Sequence, residues 1–158
     1  MHQPEDTRPS SIPWPPILLV AAVGGAIVLG RIYPLSWPGL DDWPAQAVGY
    51  GIGAAGLALV AWGIVTLHRA GTNVRPDRGA DRLITEGAFR FRRNPIYMGD
   101  VLILLGLAQV TGNIWFAILA PPFAVALLLL AILPEERHLE ARFGQAYLDY
   151  KARTRRWF

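Results

Sequence analysis

The residues most able to do chemistry fall into two short blocks. The first, residues 89–100, reads FRFRRNPIYMGD and places Arg90, Arg92 and Arg93 directly before Asn94-Pro95 and an apolar run. A proline followed by helix-forming residues suits the first turn of a helix, with Asn94 as its cap. Such a helix start offers free N–H groups and positive partial charge, and with the arginines beside it makes a seat for an anion. Tyr97 and Asp100 stand three apart on one face of this helix; Asp100 fits either a ligand contact or the dipole of its own first turn. The second block, after Leu133, reads PEERHLEARFGQAYLDYKARTRRWF. Leu139, Phe143, Tyr147 and Tyr150 recur at helical spacing and form one apolar stripe. At about 100° per residue, Glu136 lies about 25° from the centre of that stripe, Glu135 about 75° away and Arg137 on the opposite side. One carboxylate is thus aimed where the aromatic face packs.

Each block also has a plainer reading. Juxtamembrane arginines commonly bind lipid phosphates and set topology, and the first cluster taken alone favours that. The second block alone is equally an amphipathic helix lying on a membrane surface, with Glu136 at its edge. Other chemistries drop out. Gly51, Gly53 and Gly56 match the spacing of a dinucleotide-binding loop, but they lie inside an uncharged span rather than between a strand and a helix. Ala45, Gly49 and Gly53 step by four, which predicts a small-residue face for close helix packing. His2, His68 and His138 have no partner at ligand spacing and there is no cysteine, so no metal site and no thiolate is expected. No serine nucleophile motif is present either.

What must position these blocks is a set of apolar helices. The chain has 158 residues, room for one domain, with 53% hydrophobic and 17% charged residues, against about 25% charged in an ordinary soluble domain. Four apolar segments run Ile17–Tyr33, Ala45–Leu67, Ile96–Val110 and Ile114–Leu133. About 20 residues are needed to span a bilayer, so the third is short. It is expected either to thin the bilayer locally or to begin in a water-filled cleft. Pro121-Pro122 should kink the fourth segment, and the brief connection before it suits a helical hairpin.

Charge sets the predicted orientation. Of the 15 Lys and Arg residues, seven lie between Arg69 and Arg93 and six between Arg137 and Arg156, while the loop Pro34–Pro44 carries only Asp41 and Asp42. The positive-inside rule then puts both basic blocks and both termini in the cytoplasm. The pI of about 9.7 comes from these two blocks, so membrane lipids rather than nucleic acid are the expected partners. The opening MHQPEDTRPSSIPWPP lacks the basic start of a signal peptide and is expected to remain as a tail. One lysine among the basic residues points to a GC-rich bacterial genome, hence to a bacterial inner membrane. The predicted fold is all-α and integral to the membrane, with four transmembrane helices and a C-terminal cytosolic amphipathic helix. Residues 1–16 form a tail, 17–67 two transmembrane helices, and 68–158 a core of basic loop, helical hairpin and C-terminal helix.

Taken in order, the two blocks resemble the isoprenylcysteine carboxyl methyltransferase family of small integral-membrane methyltransferases, whose C-terminal core phospholipid N-methyltransferases share. The resemblance covers about Gly71 to Phe158 and rests on Arg93-Asn94-Pro95-Ile96-Tyr97-Met98-Gly99, Glu135-Glu136, Phe143-Gly144, Tyr147 and Tyr150. It implies S-adenosylmethionine as methyl donor and S-adenosylhomocysteine as product, in a pocket at the cytosolic membrane face. Carried over by position, Leu83, Gly87, Arg93, Asn94, Pro95, Tyr97, Glu135 and Glu136 would hold the donor, with Arg93 and Glu136 essential for catalysis. Arg155 or Arg156 would orient an anionic acceptor, a lipophilic carboxylate or amine arriving from the bilayer. Two departures stand out: Asn94 occupies the place of a histidine, and Thr154-Arg155-Arg156-Trp157 replaces the Val-Pro of eukaryotic members. Transfer from a sulfonium needs positioning and desolvation rather than a protein nucleophile. The rival readings are an NADPH-dependent membrane reductase and a non-catalytic helical protein that binds anionic lipid.

Overall fold

The computed structural model describes residues 10–36, 41–72 and 82–157. The start of the tail and the Arg75–Arg78 part of the basic loop lie outside the described residues. Four apolar helices make the body: α1 (Trp14–Ile32), α2 (Trp43–Arg69), α3 (Pro95–Thr111) and α4 (Trp115–Leu127). A π turn, Leu128–Ile132, joins α4 to α5 (Leu133–Phe143), and α6 (Gln145–Arg153) follows. No strand forms among the described residues; an isolated parallel bridge pairs Arg92 with Arg155.

The strongest packing is between α2 and α3. Gly49 faces Gln109, Gly53 faces Gly106, Gly56 faces Gly99 and Gly63 faces Ile96, so the two helices run antiparallel. The expected small-residue face is therefore real, and it extends past Ala45, Gly49 and Gly53 towards the helix end. Without side chains the backbones touch: a Cβ on Gly56 would lie 2.7 Å from the Gly99 carbonyl oxygen. In a lipid solvent, where apolar burial drives little, such close contact is the main source of helix association. α1 packs on α4 around Ala22, Ala26, Phe116 and Ala120. The Asn113 side chain ties the far end, donating to the Ala26 carbonyl at 2.8 Å.

Outward faces are apolar: Val20, Val28, Val48, Leu57, Val110, Val125 and Leu129 are all exposed. That pattern fits hydrocarbon, not water. Three helices, Trp14–Ile32, Trp43–Arg69 and Trp115–Phe143, are long and apolar enough to cross a membrane. The expected fourth span is not among them: α3 has 17 residues, about 26 Å at 1.5 Å per residue, against a hydrocarbon core of roughly 30 Å.

One expectation is corrected: the C-terminal helix is not one piece. It is two helices broken at Gly144, whose φ of 51° and ψ of −126° favour glycine. Moreover, α5 does not lie apart from the fourth apolar helix but continues from it. The Leu133 N–H reaches the Leu128 carbonyl across the widened turn. Pro134 explains the widening, because it has no N–H to donate and its ring would strike the Leu130 carbonyl in a regular helix.

Substituting Gly106 by Ala should drive α2 and α3 apart at Gly53 and destabilise by about 1–3 kcal/mol, read as a lowered unfolding temperature in detergent. Gly51→Ala, which meets open space, should be neutral or slightly stabilising.

Candidate active site

The N-terminus of α1, the C-terminus of α2, the start of α3 and the whole α5–α6 region converge at one end of the bundle. Between them lies a cavity of about 340 Å³, within the roughly 300–1,000 Å³ of small-molecule sites. Leu83, Arg93, Asn94, Pro95, Tyr97, Glu135 and Glu136 all line it. Gly87, Arg155 and Arg156 do not. Gly87 turns the chain at φ +58° against Thr66, and Arg155 is exposed, joined to the site through its backbone.

Glu136 is the centre of the polar wall. Its carboxylate accepts from Arg156 Nε at 2.9 Å and Nη2 at 2.8 Å, a bidentate pair, and from Arg93 Nε at 3.4 Å. Arg93 and Glu136, 43 residues apart, are side by side, as expected. The inward aim of Glu136 also holds: it is buried while Arg137 is exposed. The hydrogen bonds and charge of Glu136 hold the Arg156 guanidinium above its ordinary range, so it stays charged.

Arg93 does more than face a ligand. Its Nη1 donates to the Thr154 carbonyl at 2.6 Å and the Lys151 carbonyl at 3.1 Å. These are orphan carbonyls at the end of α6, so the guanidinium caps that helix. The Arg93 N–H donates to the Arg155 carbonyl at 2.9 Å, completing the bridge. Asn94 makes no side-chain cap, contrary to expectation. Its amide nitrogen instead donates to the Arg156 carbonyl at 3.2 Å. Residues 154–157 are therefore strapped across the start of α3.

The other wall is aromatic and acidic. The Tyr97 hydroxyl donates to Glu135 at 3.1 Å. Tyr150 donates to the Phe89 carbonyl at 2.7 Å, and burial pushes its phenol well above the ordinary value, so the donor is retained. Tyr147 is 1% exposed, its phenol likewise raised by burial and then by Glu136. Tyr147 lines the cavity, and its hydroxyl, fully buried, has no hydrogen-bond partner among the described residues. Asp100, also buried, lines the cavity one turn beyond Tyr97. It lies past the first turn of α3, which removes the dipole reading. Its spacing from Tyr97 was the signal in the sequence. Nothing comparable marked the apolar wall of Leu19, Val60, Ile64 and Ile84, since those residues look like any lipid-facing position.

A family model for phospholipid methyltransferases matches residues 44–146, from the first turn of α2 to the first turn of α6. The chain belongs to this family. No curated protein and no solved structure matches it. Family membership and the apolar helices together make it an integral-membrane methyltransferase acting on lipid. Both polar blocks, Arg93–Gly99 and Glu135-Glu136, fall inside the match, whereas the strap that carries Arg156 falls beyond it.

Removing one partner of a buried ion pair costs about 3–5 kcal/mol. Glu136→Gln, which leaves Arg93 facing an amide at side-chain exposures of 10% and 8%, should therefore lower the unfolding temperature in detergent by many degrees. Arg156→Gln, at a position 36% exposed, should cost far less because solvent screens it. Hydrogen exchange at the Arg93 amide should rise in both variants.

Proposed function

We propose that this protein transfers a methyl group from S-adenosylmethionine to a lipophilic acceptor that enters the cavity sideways from the bilayer. The observation that carries the reading is one cavity with a polar end and an apolar side. Arg93, Tyr97, Glu135 and Glu136 line the first, and Leu19, Val60 and Ile64 the second. Ile64 is 41% exposed yet lines the cavity, and exposed Pro16 of α1 does the same. A rim of that kind between α1 and α2 admits a lipid chain.

The residues fit the donor. It carries an ammonium and ribose hydroxyls, which suit carboxylate acceptors such as Glu135 and Glu136. Its carboxylate suits Arg93, and the unpartnered Tyr147 hydroxyl offers a further donor. When bound, S-adenosylmethionine supplies a carbon already activated for displacement. The chain's own part is to hold the reactants in line and exclude water. The Tyr97–Glu135 bond and the Glu136 cluster set the polar wall in place before binding, so little reorganisation accompanies the reaction.

The basic end of the bundle is taken as the cytosolic face, with both chain ends on that side and Asp41 and Asp42 on the other. The family match places methyl transfer ahead of the reductase and non-catalytic readings.

Calorimetric titration of the purified protein with S-adenosylhomocysteine should give saturable heat with one ligand per chain, in detergent and in nanodiscs. Arg93→Lys should weaken it at least tenfold, because an ammonium cannot span Glu136, Lys151 and Thr154 together. Absence of heat in both media would overturn the assignment.

A further inference from the structure

The two reactants of the proposed transfer cannot reach the cavity by one path. An acceptor with a lipid chain has the rim between α1 and α2, where exposed Pro16 and Ile64 line the opening. S-adenosylmethionine comes from water and carries a sulfonium, an ammonium and a carboxylate. Passing it along Leu19, Val60 and Ile64 would strip those charges of water with nothing in return. Its seat is at the polar end. There Arg93 and Glu136 are closed off, with side-chain exposures of 10% and 8%. Donor entry and product exit therefore need a cover at the polar end to move aside.

Two segments outside the long helices cover that end among the described residues. The one before α3 is anchored. Ile84 and Ala88 are buried, the Ala88 N–H donates to the Thr66 hydroxyl at 3.4 Å, and Tyr150 holds the Phe89 carbonyl. The other is the C-terminal strap, which has no buried residue: Arg155 is exposed, and Arg156 and Trp157 are half-buried. Thr154 belongs with α6, because its hydroxyl donates to the Tyr150 carbonyl at 2.7 Å and Arg93 Nη1 holds its own carbonyl. Beyond Thr154, three polar links tie the chain down. These are the Arg93 N–H to the Arg155 carbonyl, the Asn94 amide to the Arg156 carbonyl, and the Arg156–Glu136 ion pair. Segments with few buried contacts open before the packed helices around them.

The ion pair can open without stranding a charge. Arg156 does not line the cavity; at 36% exposed it covers Glu136 from the water side. When it leaves, its guanidinium returns to water and Glu136 keeps Arg93 as counter-charge. An uncompensated buried anion, the cost that normally fixes a buried pair, never arises. One carboxylate with two guanidiniums has one to spare. We propose that Arg155–Trp157 form a door for the water-soluble donor and its product, hinged after Thr154 and latched by Arg156 on Glu136. This rests on the methyltransferase reading above and adds separate routes to it. The donor passes the strap from water, and the acceptor passes the α1–α2 rim from lipid.

The test uses the full chain in nanodiscs and follows binding and release of radiolabelled S-adenosylhomocysteine. The chain has no cysteine, so a reversible lock can be added. Arg92→Cys with Arg155→Cys puts two thiols at the bridged pair, away from the cavity wall, where a disulfide pins the strap shut. Loaded and then oxidised, this variant should release the ligand at least about tenfold more slowly than the same variant reduced. Recovery on reduction separates a shut door from a misfolded chain. Arg156→Gln should speed binding and release together by about tenfold and leave Kd within about threefold. Its rates decide alone where oxidation is incomplete. Equal release from the oxidised and reduced forms overturns the proposal while leaving the methyltransferase reading intact. So do unchanged rates in Arg156→Gln, or faster release with a weaker Kd, which would make Arg156 part of the donor seat. Failure of wild type to bind S-adenosylhomocysteine removes both.

Discussion

A single carboxylate between two guanidiniums organises the polar end of this bundle. Glu136 is buried, and a buried carboxylate is tolerated only with charge and hydrogen bonds around it. Arg93 comes from the entrance to α3 and Arg156 from the last residues described, so the one anion adds a charged link to two segments that the Arg93 and Asn94 hydrogen bonds to the strap already join. The stabilisation from such a cluster is modest once desolvation is counted. Its larger effect is geometric: it sets where the start of α3, α5 and the end of α6 lie relative to one another, and so gives the cavity its polar wall.

Around that centre the remaining features each follow from the solvent. The α2–α3 pair meets backbone to backbone because lipid offers no hydrophobic reward for bulky side chains. Near the start of α3 the Tyr97 hydroxyl meets Glu135 of α5. α3 is short enough that its first turn lies within the cavity rather than beyond it. The π turn before Pro134 serves the same end. One extra residue in that turn rotates everything after it by about 100°, and Glu135 and Glu136 face α3 as a result.

The strap from Thr154 to Trp157 gives the site a closed side. Its backbone pairs with Arg93, its Arg156 covers Glu136, and Trp157 packs against the apolar core. It lies beyond residues 44–146, the part of the chain that matches the family model. It also shows why a count of arginines is a poor guide to ligand sites: Arg93 spends three of its contacts on the α6 end and Glu136 before any ligand arrives.

Much was legible in the residues themselves, and the reason is that local periodicity reports local structure. The helices, the glycine face of α2, the inward aim of Glu136 and the meeting of Arg93 with Glu136 all follow from spacing and from a recognisable pair of motifs. What the chain alone did not reveal depends on contacts distant in sequence. Asn94 reads as a cap, yet its amide is taken by Arg156, 62 residues later. Phe143, Tyr147 and Tyr150 read as one helix, yet Gly144 breaks it and turns both tyrosines inward. Asp100 reads as either a ligand contact or a dipole partner, and the fold buries it on the cavity wall past the first turn of α3. Sequence determined which helices form and which faces are apolar, because those depend on neighbours three and four residues away. Only the tertiary structure decided which charges are already paired, because a charge is neutralised by whatever the fold brings within a few ångströms, wherever it sits in the chain.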